Sequence, residues 1–579
     1  MFKSKTLSLI TLLLFANTQL SNELFARTQT QKAILPRPIS YARGVVVSRS
    51  QIASEIGARV MQEGGNAFDA AIATGYALSV INPKDSGIGG GGFALVYEAK
   101  TKKLSVIDFR ETAPVRINQS SYQFLKGPKA AAVPGTVAGY EYIREHFGKL
   151  DRNALIEPSI ELAEDGFEVT KYYRNAIEDK KAEFSLTSRE VFLPKGKVPQ
   201  VGDKIRQPAL AKTLRLIADR GAQEFYEGTI AKQIAKSMAQ QGGLIQLIDL
   251  KGYEVEKREA LCGTYRELYR ICSAPPPSAG GLVLVEALNI LENFNLPKYD
   301  YNSPQRLHYV IEAMKFAFAD RATQVGDPAF NPIMIKPLLT KELGRERALR
   351  IQKAGKAIPS DQILTTESLE EEVSQEKPET THFTASDREG NVITITVSLN
   401  GRFGSGYIEP GTGILLNNTL DDFSRGEGKK NQYGLVAGKL NLPYPRKRPL
   451  SSITPTVVFE TEDDQPILAL GAPGGPTISN AVLNVLLAFL DHRMTLNDSI
   501  EAGRVHHQWM PDYVFGERNL LTPEVKSELR ERYGYKTPPE DLELWRRFYW
   551  TVEAIAFDPK TGSVEGVSDA RAEQGLAYD

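Results

Sequence analysis

The sequence predicts a mixed α/β (α+β) chain in which a large two-layered sandwich with surrounding helices forms one unit. Two strand pairs in the C-terminal third carry that reading: His382 to Asp387 with Asn391 to Leu399, and Thr454 to Glu460 with Ile467 to Ala472. A long, mainly helical stretch between about 150 and 350 supplies the covering layers. The 579 residues, 41% hydrophobic and 24% charged, are ordinary for a globule with a sizeable core. A formal net charge of −1 gives no electrostatic case for nucleic acid or a membrane surface, so a small-molecule substrate is the expected partner.

The elements follow in chain order. Lys3 and Lys5 precede an apolar run from Leu7 to Ala16, too short to span a bilayer but suited to a secretory signal, residues 1–26, removed after Ala26. Leu24 fits poorly at the cleavage motif, which leaves an uncleaved anchor open. Ser50 caps a helix with Ile52, Ile56 and Val60 on one face, stopped at Gly64-Gly65, and a second, Ala-rich helix runs from about Ala67 to Ile81. The loop Asp85-Ser-Gly-Ile-Gly-Gly-Gly-Gly92 follows a helix and opens a strand, the reverse of a phosphate-cradling loop, so close backbone packing near the site is the expectation. A hairpin then returns through Leu104 to Asp108 and leaves Arg110 beyond a strand end, where a guanidinium reaches into a pocket.

Cys262 and Cys272 face each other if a turn centres on Arg266 to Leu268; a disulfide and two separate buried thiols both fit. Ser303 as cap and Pro304 at the first helical position open a helix with Leu307, Val310, Ile311, Met314 and Phe318 on its core face. Residues 356–379 turn acidic, with Glu370, Glu371 and Glu372 in a row, and read as a mobile linker. Beyond the second strand pair, Pro473-Gly-Gly-Pro476 leads into a helix with Ile478, Val482, Val485 and Phe489 on one face. Pro476 suits its first position, and Gly474 and Gly475 present amides at its positive end, as an oxyanion hole requires. His506-His507 lacks metal-ligand spacing, so neither metal nor cofactor is expected.

The linker stops at Thr380, where tightly specified β structure begins. A Thr hydroxyl is a weak nucleophile until a base sits beside it, and the residue's own α-amine, titrating near about 7.7–8.0, becomes that base once the preceding peptide bond is cut. Cleavage at Glu379/Thr380 therefore creates the catalyst.

Thr380-Thr-His-Phe, Ser398-Leu-Asn400, Phe403-Gly-Ser-Gly406, Gly413-Ile-Leu-Leu-Asn-Asn418, Asp421-Asp-Phe-Ser424, Arg448-Pro-Leu-Ser-Ser452 and Pro473-Gly-Gly475 stand in the order of the γ-glutamyltranspeptidases. Asp108-Phe-Arg-Glu111, Val133-Pro-Gly-Thr136, Pro275-Pro-Pro-Ser278 and His506-His-Gln-Trp509 extend the resemblance over nearly the whole chain after the leader. It implies a four-layer αββα sandwich of the N-terminal nucleophile hydrolase type, and a precursor that cuts itself into a large chain, 27–379, and a small chain, 380–579. It implies an exported (periplasmic or extracellular) γ-glutamyltransferase and glutathione hydrolase with no membrane span after signal removal. Such an enzyme takes the γ-glutamyl group of glutathione and related compounds onto Thr380 and passes it to amino acids, dipeptides or water.

By the same resemblance, Ser398 assists the nucleophile with its hydroxyl, in a place where the family usually has Thr. Arg110 pairs with the substrate α-carboxylate beside Ser451 and Ser452, and Asn400 and Asp422 accept from the α-ammonium. Thr419 stands where family members carry Gln or Glu, which shortens that clamp. Tyr433 matches the covering tyrosine of a lid loop, roughly Glu427 to Gly438, and a lid favours transfer over hydrolysis. A cephalosporin or glutaryl acylase, or a poly-γ-glutamate hydrolase, is the alternative on the same scaffold. An uncleaved, ligand-binding paralogue is the alternative of another class.

Overall fold

Strands rich in Val, Ile and Thr pair into two antiparallel sheets that stack face to face in this computed structural model, which describes residues 44–118, 125–364, 379–426, 429–538 and 550–579. The signal reading, residues 1–26, lies outside the described residues, as does most of the linker. The first sheet has seven strands in the order Gly575–Tyr578, Val45–Ser48, Thr381–Ser386, Val392–Ser398, Gly91–Glu98, Lys103–Phe109 and Glu256–Arg258. The second has six, in the order Ser563–Ser568, Glu553–Asp558, Pro466–Gly471, Thr456–Glu460, Tyr269–Ser273 and Leu261–Tyr265. Helices Gln51–Gln62 and Ala67–Ile81 cover the outer face of the first sheet, and Gly280–Leu291 and Ile478–Leu486 that of the second. The result is four layers, αββα, as the resemblance implies.

The central strands Val392–Ser398 and Pro466–Gly471 are buried on both faces, so the alternate residues Thr394, Thr396 and Ser398 carry their hydroxyls inside the fold. The sheets meet closely at Gly471, where a Cβ would stand 2.3 Å from the His382 ring. His382 is held there by the hydroxyls of Thr396 at 2.7 Å and of Thr384 and Thr394 at 3.0 Å, and burial pushes it down to about 3. The third residue after the junction is thus a neutral structural imidazole.

The helix Ala67–Ile81 spans the expected residues, and the turn at Glu389-Gly390 joins the expected hairpin. Cys262 and Cys272 pair across their hairpin and form a disulfide, which closes the alternative of separate thiols. Three local expectations are corrected. Ile52 is 44% exposed, because the first helix buries Ala53, Ile56, Gly57 and Val60 instead. Ser303 stands at the N-cap of Pro304–Gln324, but its side chain makes no capping hydrogen bond. Pro476 lies in a short 3₁₀ turn, Gly475–Thr477, ahead of the helix rather than at its first position.

Candidate active site at the Glu379–Thr380 junction

Thr380 immediately precedes the strand Thr381–Ser386 and is buried with Glu379 before it. Its neighbour in the sheet, Val392–Ser398, ends at the hydroxyl that meets it: Thr380 Oγ1 lies 3.2 Å from Ser398 Oγ. Ser398 Oγ in turn donates to the Glu379 carbonyl at 3.1 Å and accepts from the Asn400 amide at 2.8 Å. The consistent proton order has Thr380 donating to Ser398 and Ser398 to the carbonyl of the junction peptide. Arg49 fixes the other side, donating to the Thr380 carbonyl at 3.2 Å and to Asp85 at 3.0 Å.

The glycine loop explains how this junction fits. A Cβ at Gly90 would stand 2.1 Å from the Ser398 carbonyl oxygen, and one at Gly89 2.1 Å from that of Leu415. Close backbone packing against the Ser398 strand end is what the loop provides, and phosphate chemistry has no part in it.

Beside Thr380 lies a narrow cavity of about 30 Å³, room for a water or two. Its wall brings together Thr380, Ser398, Asn400, Asp422, Tyr433, Ser451, Ser452 and Gly475 with Arg110, which lies hundreds of positions before them in the chain. Gly475 is on the wall and Gly474 precedes it; their φ values of 56° and 126° lie in the region that favours glycine. Arg110 NH2 and Asp422 Oδ2 pair at 2.5 Å, while Arg110 NH1 reaches Glu111 at 3.2 Å. Burial pushes Asp422 and Glu111 upward and Arg110 opposes it; burial works downward on Arg110, and Glu111 and Asp422 outweigh it. All three are therefore held in one ion cluster.

Asn400 takes a left-handed φ of 74°, commits its side-chain amide to the Asn418 carbonyl at 3.2 Å, and accepts from the Tyr433 hydroxyl at 2.7 Å on its own carbonyl. Tyr433 is 6% exposed and lines the cavity, with Asn431 bonded to Asp422 at 3.2 Å. Ser451 anchors its own turn by accepting from the Ile453 amide at 3.1 Å.

Of the expected residues, Gly474 and Thr419 are not on the wall, and Thr419 faces away from it. Its hydroxyl donates to Glu111 at 2.8 Å and its amide to Asn417 at 3.1 Å, so it braces the cluster from behind and does not stand on the cavity wall. The 3₁₀ turn Thr419–Asp422 points Asp422, three residues on, toward Arg110 instead.

Sequence reading missed Arg321. Its guanidinium reaches the cavity from the helix Pro304–Gln324 and stands 3.5 Å from the Ser452 hydroxyl, and burial lowers it to about 10 against the pull of Asp422. A signal was present: three residues past Phe318 the apolar face of that helix ends in an arginine. Arg49 and Arg402 were missed for lack of any local pattern, and Glu111 stood in the motif Asp108-Phe-Arg-Glu111 with no role assigned to it.

The γ-glutamyltranspeptidase family model matches residues 53–578. The chain belongs to the γ-glutamyltranspeptidase family. The glutathione hydrolase proenzyme of Escherichia coli K12 is 37% identical over 93% of this chain and 92% of its own length. Among solved structures, a cephalosporin acylase from Bacillus halodurans superposes with a TM-score of 0.79 at 28% identity, covering 95% of this chain and 98% of that one. A chain of Helicobacter pylori γ-glutamyltranspeptidase superposes with a TM-score of 0.51 at 36% identity, covering 56% of this chain and 93% of its own. Membership in the γ-glutamyltranspeptidase family fits the four-layer fold. Among the described residues no helix is long and apolar enough to cross a membrane.

Proposed function

We propose that this protein is an exported precursor that cuts itself between Glu379 and Thr380 and then acts as a γ-glutamyltransferase and glutathione hydrolase. The observation that carries the proposal is the relay from Thr380 Oγ1 to Ser398 Oγ at 3.2 Å and from Ser398 to the Glu379 carbonyl at 3.1 Å. Thr380 Oγ adds to the Glu379 carbonyl carbon, the C–N bond breaks, and the hydroxyl proton ends on the Thr380 nitrogen. Water then hydrolyses the ester, leaving a large chain, 27–379, and a small chain, 380–579. The freed α-amine, with a pKa near about 7.7–8.0, takes the proton from Oγ in each later turnover.

In that turnover Thr380 Oγ attacks the γ-carbonyl of the donor. The amides of Gly474 and Gly475 hold the oxyanion, and the amine leaves with the proton held on the α-amine. Arg110 takes the donor's α-carboxylate with Ser451 and Ser452, and Asp422 with Asn400 takes its α-ammonium. Amino acid or dipeptide acceptors, or water, then release the acyl group. Tyr433 slows water by closing the cavity, and it has to move for a glutamyl group to enter. Export is supported by Lys3, Lys5 and the apolar run Leu7 to Ala16, and by the Cys262–Cys272 disulfide, which suits an oxidising compartment.

Intact mass of the denatured protein tests the first half: two chains, the smaller beginning at Thr380, and one uncut chain for Thr380→Ala. Anilide release tests the second, with γ-glutamyl favoured over glutaryl. Equal or greater release from the glutaryl compound would transfer the chain to the acylase reading that the Bacillus halodurans structure suggests.

A further inference from the structure

We infer that Arg402 is a positioning residue for chain cleavage, gripping the side chain of Glu379 and thereby selecting an acidic residue before the scissile bond. Glu379 is 2% exposed, and its Oε1 accepts from Arg402 Nε at 2.8 Å and from Arg402 NH2 as well. Arg402 NH1 is held at 2.9 Å by Asp179, on the helix Lys171–Lys180. The next residue, Phe403, is clamped among Phe184, Phe192 and Tyr173 with ring centroids 5.0, 5.0 and 6.0 Å away, so the turn that carries Arg402 is fixed to the large chain.

The junction is therefore held at three points. Arg402 takes the Glu379 side chain, Ser398 its carbonyl, and Arg49 the carbonyl of Thr380. A peptide bond attacked by its neighbour's hydroxyl needs its carbonyl carbon kept in line with that hydroxyl. A misplacement of about 1 Å costs on the order of 10²-fold in rate. Arginine suits the task because its fork serves Glu379 and Asp179 together, which a lysine ammonium does not reproduce.

Four charged groups face the Glu379 carboxyl: Arg402, Asp85, Lys84 and Arg49. Burial lifts it to about 7, Arg402 works against that, and the Asp85 carboxylate adds to it. Below that value the carboxyl carries a proton and offers it to Asp85. Above it the charged pair with Arg402 is complete, so cleavage accelerates as pH rises through about 7.

The test follows cleavage of freshly folded full-length precursor by intact mass across pH 5.5–8.5, a range set about that value. Arg402→Met and Glu379→Leu each slow cleavage about 10²-fold, Arg402→Lys gives a smaller loss, and Glu379→Gln flattens the rise near pH 7. The double variant Arg402→Met/Glu379→Met removes both halves of the buried pair, which restores a sound fold if a lone buried charge was the only defect. Slow cleavage in that folded double variant supports the grip. Cleavage at the wild-type rate, in it or in Arg402→Met, overturns it. The inference rests on self-cleavage: wild type that stays whole, or Thr380→Ala that splits, defeats the proposed function, whereas wild type and Arg402→Met splitting alike defeats the inference alone.

Discussion

Ser398→Ala isolates the chemical step that every other function of the chain waits for. The Ser398 hydroxyl lies 3.1 Å from the carbonyl that becomes an oxyanion when Thr380 attacks, and 3.2 Å from the attacking hydroxyl itself. Removing one donor aimed at a developing oxyanion costs about 10²–10³ in rate, or about 3–4 kcal/mol of barrier. The same substitution leaves the Asn400 amide, 2.8 Å from Ser398 Oγ, without its acceptor in a buried site, at a cost of about 1–3 kcal/mol in stability. The two effects are separable, since one is a rate and the other an equilibrium. The assay is a time course of the whole-chain mass after refolding, with urea unfolding of the uncut Thr380→Ala protein and of Thr380→Ala/Ser398→Ala as the stability measure. Ser398→Thr keeps the hydroxyl and adds the methyl that restricts its rotamers, so it matures at least as fast as wild type. Maturation of a soundly folded Ser398→Ala protein at the wild-type rate would refute the relay.

Three further outcomes follow from individual contacts. Tyr433→Phe loses the 2.7 Å bond to the Asn400 carbonyl, worth about 1 kcal/mol of lid closure. The product ratio with a dipeptide acceptor therefore shifts several-fold from transfer toward hydrolysis, and an unchanged ratio removes Tyr433 from the lid. Thr419→Val strips the 2.8 Å donor from buried Glu111 and costs about 1–3 kcal/mol in urea unfolding, with no loss of a substrate contact. A higher KM at unchanged stability would put Thr419 back in the donor site. Glu553 is fully buried, burial lifts it to about 8 despite Arg49, and neither carboxyl oxygen has a hydrogen-bond partner among the described residues. Its folded value lies above its unfolded one, so its contribution is intact below about pH 4.3 and is lost as pH rises through about 8. Glu553→Gln consequently gains stability over wild type above pH 8, by up to about 5 kcal/mol, and gains none in acid. A pH-independent difference would contradict this.

Local elements were legible where local physics sets them. Ala67–Ile81 has an Asn66 capping box and an Ala-rich sequence, and the Thr381–Ser386 hairpin turns on Asp387, whose carboxylate takes the amides of Glu389 and Asn391 at 3.0 Å each. The sheet order was not legible. Val45–Ser48 lies between Gly575–Tyr578 and Thr381–Ser386, and no periodicity records a pairing across more than 500 or 300 residues. Ile52 failed because spacing alone does not tell which edge of an apolar stripe faces solvent. The polar partners of the site, Glu111 on Thr419, Arg402 on Glu379 and Arg321 at Ser452, failed for the same reason as sheet order. Each is a contact made by the fold between residues far apart in the chain, and a motif that marks one residue does not name its partner.

The Arg110–Asp422 pair gives the proposed selectivity a physical basis. In the uncut chain the two charges satisfy each other at 2.5 Å within a largely buried cluster. A donor with both an α-carboxylate and an α-ammonium replaces that pair with two new ones and leaves no charge unmatched. A glutaryl donor takes Arg110 and leaves the Asp422 carboxylate without a counter-ion, and breaking a buried pair in that way costs about 3–5 kcal/mol. Asn431 at 3.2 Å and the more distant Arg321 soften the loss, because both still favour the charged Asp422. Discrimination of at least about 10² therefore follows from electrostatics, even though Thr419 gives the ammonium no contact of its own. On the proposed function, a scaffold shared with an acylase would separate its substrates by whether the second charge of the pair is answered.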